Sequence, residues 1–382
     1  MKDAAKKQTI ILASGGTGGH VFPARALAGE LIARGYDVVL MTDERGDRYE
    51  TLFPGVRIEQ VPSASPSVGG IFGKLRAGFV ISTGIVKAWA RMSRLRPAAV
   101  VGFGGYPSLP PVAAGRLAGV PVLLHEQNAV LGRVNRLLAR WANTVAVSFE
   151  KTIGGSTEVT GRMVLTGNPV RAEIMALSGQ GYQAPKEGED LSLLVLGGSQ
   201  GATILSDIFP AAIAALPEAM QERLVITQQC RAEDLDRVRD VYAETRARTV
   251  LATFFDDVPG LLAGCHLAVT RSGASTLAEL SVAGRPAILV PFKYAMDNHQ
   301  QKNAENQVDK GAAELILQDE FTVERVAEDL TRLLAQPERL AAMAEAAAGS
   351  GQGNAAAKLA DLVETSLKNR NTKPCVTGKV AA

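Results

Sequence analysis

Residues 9–20 read TIILASGGTGGH, and residues 191–202 read LSLLVLGGSQGA. Each is a short apolar run that ends in clustered glycines and then gives way to helical periodicity. A strand, a glycine turn and a helix open a Rossmann-like domain, so a chain that uses the device twice is predicted to be an α/β protein of two such domains. In the first copy Gly15, Gly16, Gly18 and Gly19 leave little side-chain bulk over the turn, and backbone N–H groups can approach a ligand closely. At a helix N-terminus these groups lack intrahelical partners and sit at the positive end of the helix dipole. An anion such as a diphosphate suits them.

Working outward, the apolar runs Val38–Met41, Val56–Val61, Ala98–Phe103, Val120–Leu124 and Thr144–Val147 predict further strands of the first half. Leu224–Thr227, Val250–Phe254, Leu267–Thr270 and Ala287–Val290 do so in the second. Ala24, Leu27, Ala28, Leu31 and Ile32 share one helical face ahead of Gly35. Residues 63–73 read as a loop, and a long helix is expected from Lys74 to Arg94. The polar segment 178–190, SGQGYQAPKEGED, is the expected linker between a first domain at 1–177 and a second at 191–353. A last helix at 354–368 and a loose tail at 369–382 complete the expected organisation.

A length of 382 residues suits two cores rather than one, and 46% hydrophobic with 21% charged residues is a folded composition. The net charge of +2 gives no argument for nucleic acid. Its distribution is uneven: no acidic residue stands between Glu59 and Glu126, whereas Lys74, Arg76, Lys87, Arg91, Arg94, Arg96 and Arg116 do. Three cysteines without a CxxC pair support neither a disulfide framework nor a cysteine zinc site, and a reducing cytoplasm is expected. No run reaches the ~18 apolar residues of a spanning helix, so membrane contact is expected to be peripheral.

Other glycine motifs can be tested directly. GxGxxG fails because Val21 stands where its third glycine belongs, and GxxxxGK[ST] is absent. Gly197–Gly201 satisfies GxSxG, so a serine hydrolase using Ser199, with Asp256 or Asp257 and His266 or His299 downstream, is a competing expectation. It leaves the first 190 residues and their own glycine loop unexplained.

The densest cluster is Thr270 to Gln301. TRSGAST opens a helix after a strand, offering N–H groups from Ser272 to Thr276 to a phosphate. Glu279, one turn further, is placed to accept ribose hydroxyls, and His299, Gln300, Gln301 and Asn303 suit sugar hydroxyls. GFGGYPS at 102–108 is a third glycine turn, HEQN at 125–128 closes another strand, and Arg171 of NPVR places a cation near the domain junction. Polar clusters at the carboxyl ends of several parallel strands describe a crevice site.

GGTGGH, GFGGYPS, HEQN, GNPVR, GGSQGA, RSGASTLAE and HQQKNA, in this order, resemble the MurG family of UDP-N-acetylglucosamine–N-acetylmuramyl-(pentapeptide) pyrophosphoryl-undecaprenol N-acetylglucosamine transferases. The resemblance implies the glycosyltransferase B fold, two Rossmann-like domains facing across a cleft, with the C-terminal helix crossing back to the first domain. It implies an inverting transfer of N-acetylglucosamine from UDP-N-acetylglucosamine to the muramyl 4-hydroxyl of lipid I. The product is lipid II for peptidoglycan, cell shape and division, made peripherally at the cytoplasmic face of the inner membrane. It implies neither cofactor nor metal, and as partners the two substrates, an anionic membrane surface and cell-wall synthesis proteins. Another UDP-sugar glycolipid transferase or an epimerase of this fold would share the donor half.

Carried onto this chain, the family's donor contacts fall on Thr17, Gly18, Gly19, Asn128, Arg171, Ser199, Phe255, Ala274, Ser275, Thr276, Leu277, Ala278, Glu279 and Gln300, with Gln301 a one-residue rival to Gln300. His20 is the expected base or acceptor-positioning group, and Glu126 is the rival base. Gly104, Gly105, Tyr106, His125 and Glu126 are expected on the acceptor side. Ile71, Phe72, Lys74, Leu75, Arg76 and Phe79, within 68–80, are expected to meet the membrane; core packing of that helix is the alternative.

Overall fold

The computed structural model describes residues 7–65, 70–198, 201–351 and 353–372. Seven parallel strands form the first sheet: β1 (Thr9–Ala13), β2 (Asp37–Thr42), β3 (Arg57–Gln60), β4 (Ala99–Gly102), β5 (Val122–Glu126), β6 (Thr144–Val147) and β7 (Met163–Leu165), in the order β3-β2-β1-β4-β5-β6-β7. Six form the second: β8 (Leu191–Leu196), β9 (Leu224–Gln229), β10 (Arg248–Ala252), β11 (Leu267–Thr270), β12 (Ala287–Leu289) and β13 (Ala313–Leu315), in the order β10-β9-β8-β11-β12-β13. Helices cover both faces, so the central strands are apolar at every position: Ile10, Ile11 and Leu12 are all fully buried. The expected α/β class with two parallel sheets is borne out.

Each sheet grows outward in both directions from its first strand. Leu12 of β1 lies opposite Leu40 and Val101, and Val195 of β8 lies opposite Gln228 and Val269. The chain therefore reverses its direction of growth at β1/β4 and again at β8/β11. A crevice opens outside the carboxyl ends of the strands at such a switch point. SGGTGGH follows β1, GFGGYPS follows β4, GGSQGA follows β8 and RSGAST follows β11. Four motifs scattered over the sequence thus converge on two crevices.

Several boundaries differ from expectation. The long helix begins at Gly70 rather than Lys74 and runs to Leu95, absorbing the end of the expected loop. β5 continues through His125 and Glu126, which are therefore buried strand residues. β7 and β13 escape sequence reading because three-residue edge strands are too short to show a period. The last helix, Ala355–Thr372, extends past residue 368. Its Leu359, Ala360 and Val363 are buried in the same apolar cluster as Ile10, Leu27 and Leu31 of the first sheet's layer. Arg34 secures the helix by donating to Asp361 at 2.6 Å and to the Ala357 carbonyl. The segment after Ser178 is held by the second domain, where Arg285 donates to the Gly181 carbonyl and stands over the Tyr182 ring.

Candidate active site

At the first crevice, Gly16 takes φ +93° and donates its N–H to the Tyr49 hydroxyl at 3.2 Å. A β-carbon on Gly15 would stand 2.6 Å from the Thr42 hydroxyl oxygen, so position 15 has no room for a side chain. Thr17, exposed and in extended backbone, is the N-cap of the helix Gly18–Ala33, leaving the first N–H groups of that helix open. His20 follows in its first turn. The imidazole lies against Gly104 and Gly105, which adopt φ +86° and +70°; β-carbons there would come within 3.4 and 3.3 Å of the ring. GFGGYPS thus forms a flat seat for His20, with half-buried Tyr106 beside it.

HEQN is placed behind that seat. The His125 ring is fully buried and donates from Nε2 to the Gly167 carbonyl at 3.0 Å. Burial pushes it down to about 4, so it is neutral at working pH. In this structure the His125 ring, expected on the acceptor side, is wholly buried behind the Gly104–Gly105 seat. Glu126 is 1% exposed and accepts from the Asn128 and Gly132 N–H groups and from both the Asn128 and Asn135 amides. Its oxygens are thus spent on the 127–132 loop and on Asn135. Gln127 accepts from His20 Nδ1 at 2.9 Å.

The second crevice is built on the helix Ala274–Ala283, with Gly273 as its N-cap. The Leu277 N–H closes on the Gly273 carbonyl at 3.0 Å, and the Leu277 side chain is in the core. The open N–H groups are therefore those of Ala274, Ser275 and Thr276. The Ser275 hydroxyl is buried without a protein partner. Arg271 faces away, donating to the Val290 and Pro291 carbonyls, while the Gln300 oxygen accepts the Phe292 N–H at 2.9 Å and Gln301 pairs with Glu305.

Arg171 joins the two crevices. It donates to Glu279 at 3.2 Å, and its guanidinium stands 5.9 Å from the Phe22 ring centroid, two residues beyond His20. Burial raises the Glu279 carboxyl above its ordinary range, with Arg171 opposing the shift. Arg171 Nε and both amide atoms of Asn168 are buried without a protein partner. Asn303 clasps the walls together, accepting the Ala129 N–H at 2.8 Å and donating to Asn128 Oδ1 and the Ser272 carbonyl.

Phe255 is half-buried in the loop after β10. Ser199 lies outside the described residues. His266, named for the hydrolase alternative, sits before β11 with Nδ1 accepting the Ser192 N–H, at the amino end of the strands and far from the glycine turn after β8. Gln127 and Asn168 are the contributions that sequence reasoning left without a role, while Asn303, expected to suit sugar hydroxyls, is buried with its amide bonded to Ala129, Asn128 and Ser272. All three stand inside quoted motifs, but nothing local distinguishes an amide that spans a cleft from one that caps a turn.

The fold and the site define a two-domain glycosyltransferase. Residues 10–147 match the glycosyltransferase family 28 N-terminal domain and residues 192–363 its C-terminal domain. Over 354 residues, 93% of this chain and 93% of the relative, the sequence is 50% identical to the UDP-N-acetylglucosamine–N-acetylmuramyl-(pentapeptide) pyrophosphoryl-undecaprenol N-acetylglucosamine transferase of Rhodospirillum centenum. Among solved structures, MurG of Acinetobacter baumannii superposes with a TM-score of 0.77 at 31% identity, covering 94% of this chain and 99% of that one. A UDP-N-acetylglucosamine 2-epimerase from Listeria monocytogenes, described as putative, has a TM-score of 0.67 at 16% identity, covering 95% and 97%, a likeness of fold alone. The chain belongs to the MurG family of N-acetylglucosamine transferases, hexosyltransferases of the glycosyltransferase B fold.

Proposed function

We propose that this chain transfers N-acetylglucosamine from UDP-N-acetylglucosamine to the muramyl 4-hydroxyl of lipid I. The observation that carries the reading is the bridge at Arg171, which ties Phe22, beside His20, to Glu279, one turn beyond the open N–H groups of Ala274–Thr276. A base and a diphosphate cradle then face the two ends of one bond. The first domain, 1–177 with the last helix, takes the acceptor, and the second, 191–353, takes the donor.

His20 Nε2 removes the proton from the acceptor hydroxyl as its oxygen attacks the anomeric carbon from the face opposite UDP, so configuration inverts. Charge that develops on the leaving diphosphate is met by the Ala274, Ser275 and Thr276 N–H groups and by Arg171. Glu279 accepts the ribose hydroxyls, Phe255 offers backbone to the uracil, and Thr17, Gly18 and Gly19 lie along the transferred sugar and the acceptor diphosphate.

The lipid acceptor requires a membrane surface, and the helix Gly70–Leu95 offers one. Its buried side chains Ala77, Ala88 and Met92 form one stripe, while Ile71, Phe72, Leu75, Phe79, Val86 and Trp89 lie on the opposite side, each at least half exposed. Lys74 and Arg76 flank them. No helix among the described residues is long and apolar enough to cross a membrane. We assign this face to peripheral docking on an anionic leaflet, at the cytoplasmic side where the nucleotide sugar is available.

The test is an assay with UDP-N-acetylglucosamine and a short-chain lipid I analogue. One UDP released per β-linked disaccharide formed is expected. A folded protein that binds UDP without turnover refutes the acceptor assignment, and conversion of the UDP-sugar without acceptor indicates an epimerase.

A further inference from the structure

We propose that Gln127 is a positioning residue that fixes the tautomer of His20, holding the proton on Nδ1 and leaving the Nε2 lone pair for the acceptor hydroxyl. This rests on the assignment of His20 as the base.

The orientation of the Gln127 amide follows from its surroundings. Its Nε2 stands 3.0 Å from the Phe103 carbonyl and 3.1 Å from the His125 carbonyl. Carbonyl oxygens only accept, so the atom between them is the amino group. The other end is the oxygen, which also only accepts, and it lies 2.9 Å from His20 Nδ1. His20 Nδ1 therefore carries the hydrogen, and in the neutral ring Nε2 is the basic nitrogen.

A second residue supports the first. His125 donates from Nε2 to the Gly167 carbonyl, so its Nδ1 is an acceptor and stands 3.0 Å from the Gln127 amino group, whose two hydrogens are shared between this nitrogen and the two carbonyls. The backbone carbonyls of Phe103, His125 and Gly167 thus orient Gln127 and, through it, His20. In serine hydrolases a carboxylate does this and also stabilises the imidazolium. A neutral amide gives orientation without adding charge beside an anionic substrate.

The chain has four histidines, which makes the test direct. Long-range 1H–15N correlation on [15N]histidine-labelled protein, with no substrate present, is expected to show Nδ1–H for His20 and Nε2–H for His125. Wild-type His20 in the Nε2–H form overturns the proposal without any variant. Gln127→Met removes both the acceptor and the donor at similar volume. It is expected to move His20 to the Nε2–H form and to lower kcat by about 10²–10⁴-fold, the worth of a general base, with little change in the KM for the UDP-sugar. Gln127→Glu keeps an acceptor for Nδ1–H and is expected to restore the tautomer and part of kcat. Retention of Nδ1–H in Gln127→Met overturns the role of Gln127. A tautomer change without loss of kcat refutes His20 as the base, and the expected tautomer in a protein that transfers no sugar refutes the assigned reaction alone.

Discussion

Asn303 donates to Asn128 across the cleft at 3.1 Å, and the same side chain accepts the Ala129 N–H at 2.8 Å. Asn303 is wholly buried, so these bonds are shielded from water, and one amide couples the walls built on the two sheets. Asn303→Ala leaves the buried Ala129 N–H unpaired, an omission that costs about 1–3 kcal/mol. A lower urea midpoint is expected, with Asn303→Asp, which retains the acceptor, falling between the variant and wild type.

Glu279 contributes to pH dependence in the direction unusual for a carboxylate. Its folded pKa is raised, chiefly by burial, so the folded state holds the proton after the unfolded chain has released it near pH ~4.3. The stability it contributes is present below that value and is lost as pH rises through the folded pKa. Glu279→Gln removes the titration. The stability difference between variant and wild type should therefore shift toward the variant from acidic to neutral pH. UDP affinity, measured by calorimetry, is expected to fall about tenfold or more, since hydrogen bonds to a charged group are worth ~1.5–3 kcal/mol.

His125 has the opposite sign. Its folded pKa is held at about 4 by burial, below the ordinary histidine range. The stability this provides is complete above pH ~6.5 and is lost as pH falls through the folded value, a total on the order of 3 kcal/mol. Denaturant midpoints between pH 7 and pH 4.5 are expected to decline accordingly, with the His125 ring resonances starting to move only as the pH approaches the folded value of about 4. Titration of those resonances near pH 6.5 would contradict the buried placement.

Phe72 is 83% exposed and Phe79 72%, so Phe72→Ser with Phe79→Ser should leave the fold unchanged by circular dichroism. If the two rings enter a bilayer, their loss removes ~1.5–3 kcal/mol each. Sedimentation with anionic vesicles is expected to fall at least tenfold and to weaken further with salt. Wild-type binding by the double variant would sink the docking assignment.

Periodicity and turn chemistry made the α/β class, the two glycine loops and most strands readable, because they are local properties of consecutive residues. The basic, acid-free region was likewise evident, but the separation of its exposed apolar stripe from the buried Ala77–Met92 stripe requires the helix to begin at Gly70 and pack as it does. The fate of charged and polar groups was not local. Glu126 and His125 read as candidate site residues from their motif, and only the continuation of β5 through them shows that both are buried. The roles of Gln127 and Asn303 are set by partners more than a hundred residues away, which no local pattern shows. Sequence by itself determined two Rossmann-like domains and the chemistry of their turns. Tertiary structure alone decided which nitrogen of His20 is free, because that depends on carbonyls that the folded strands bring within 3 Å of Gln127.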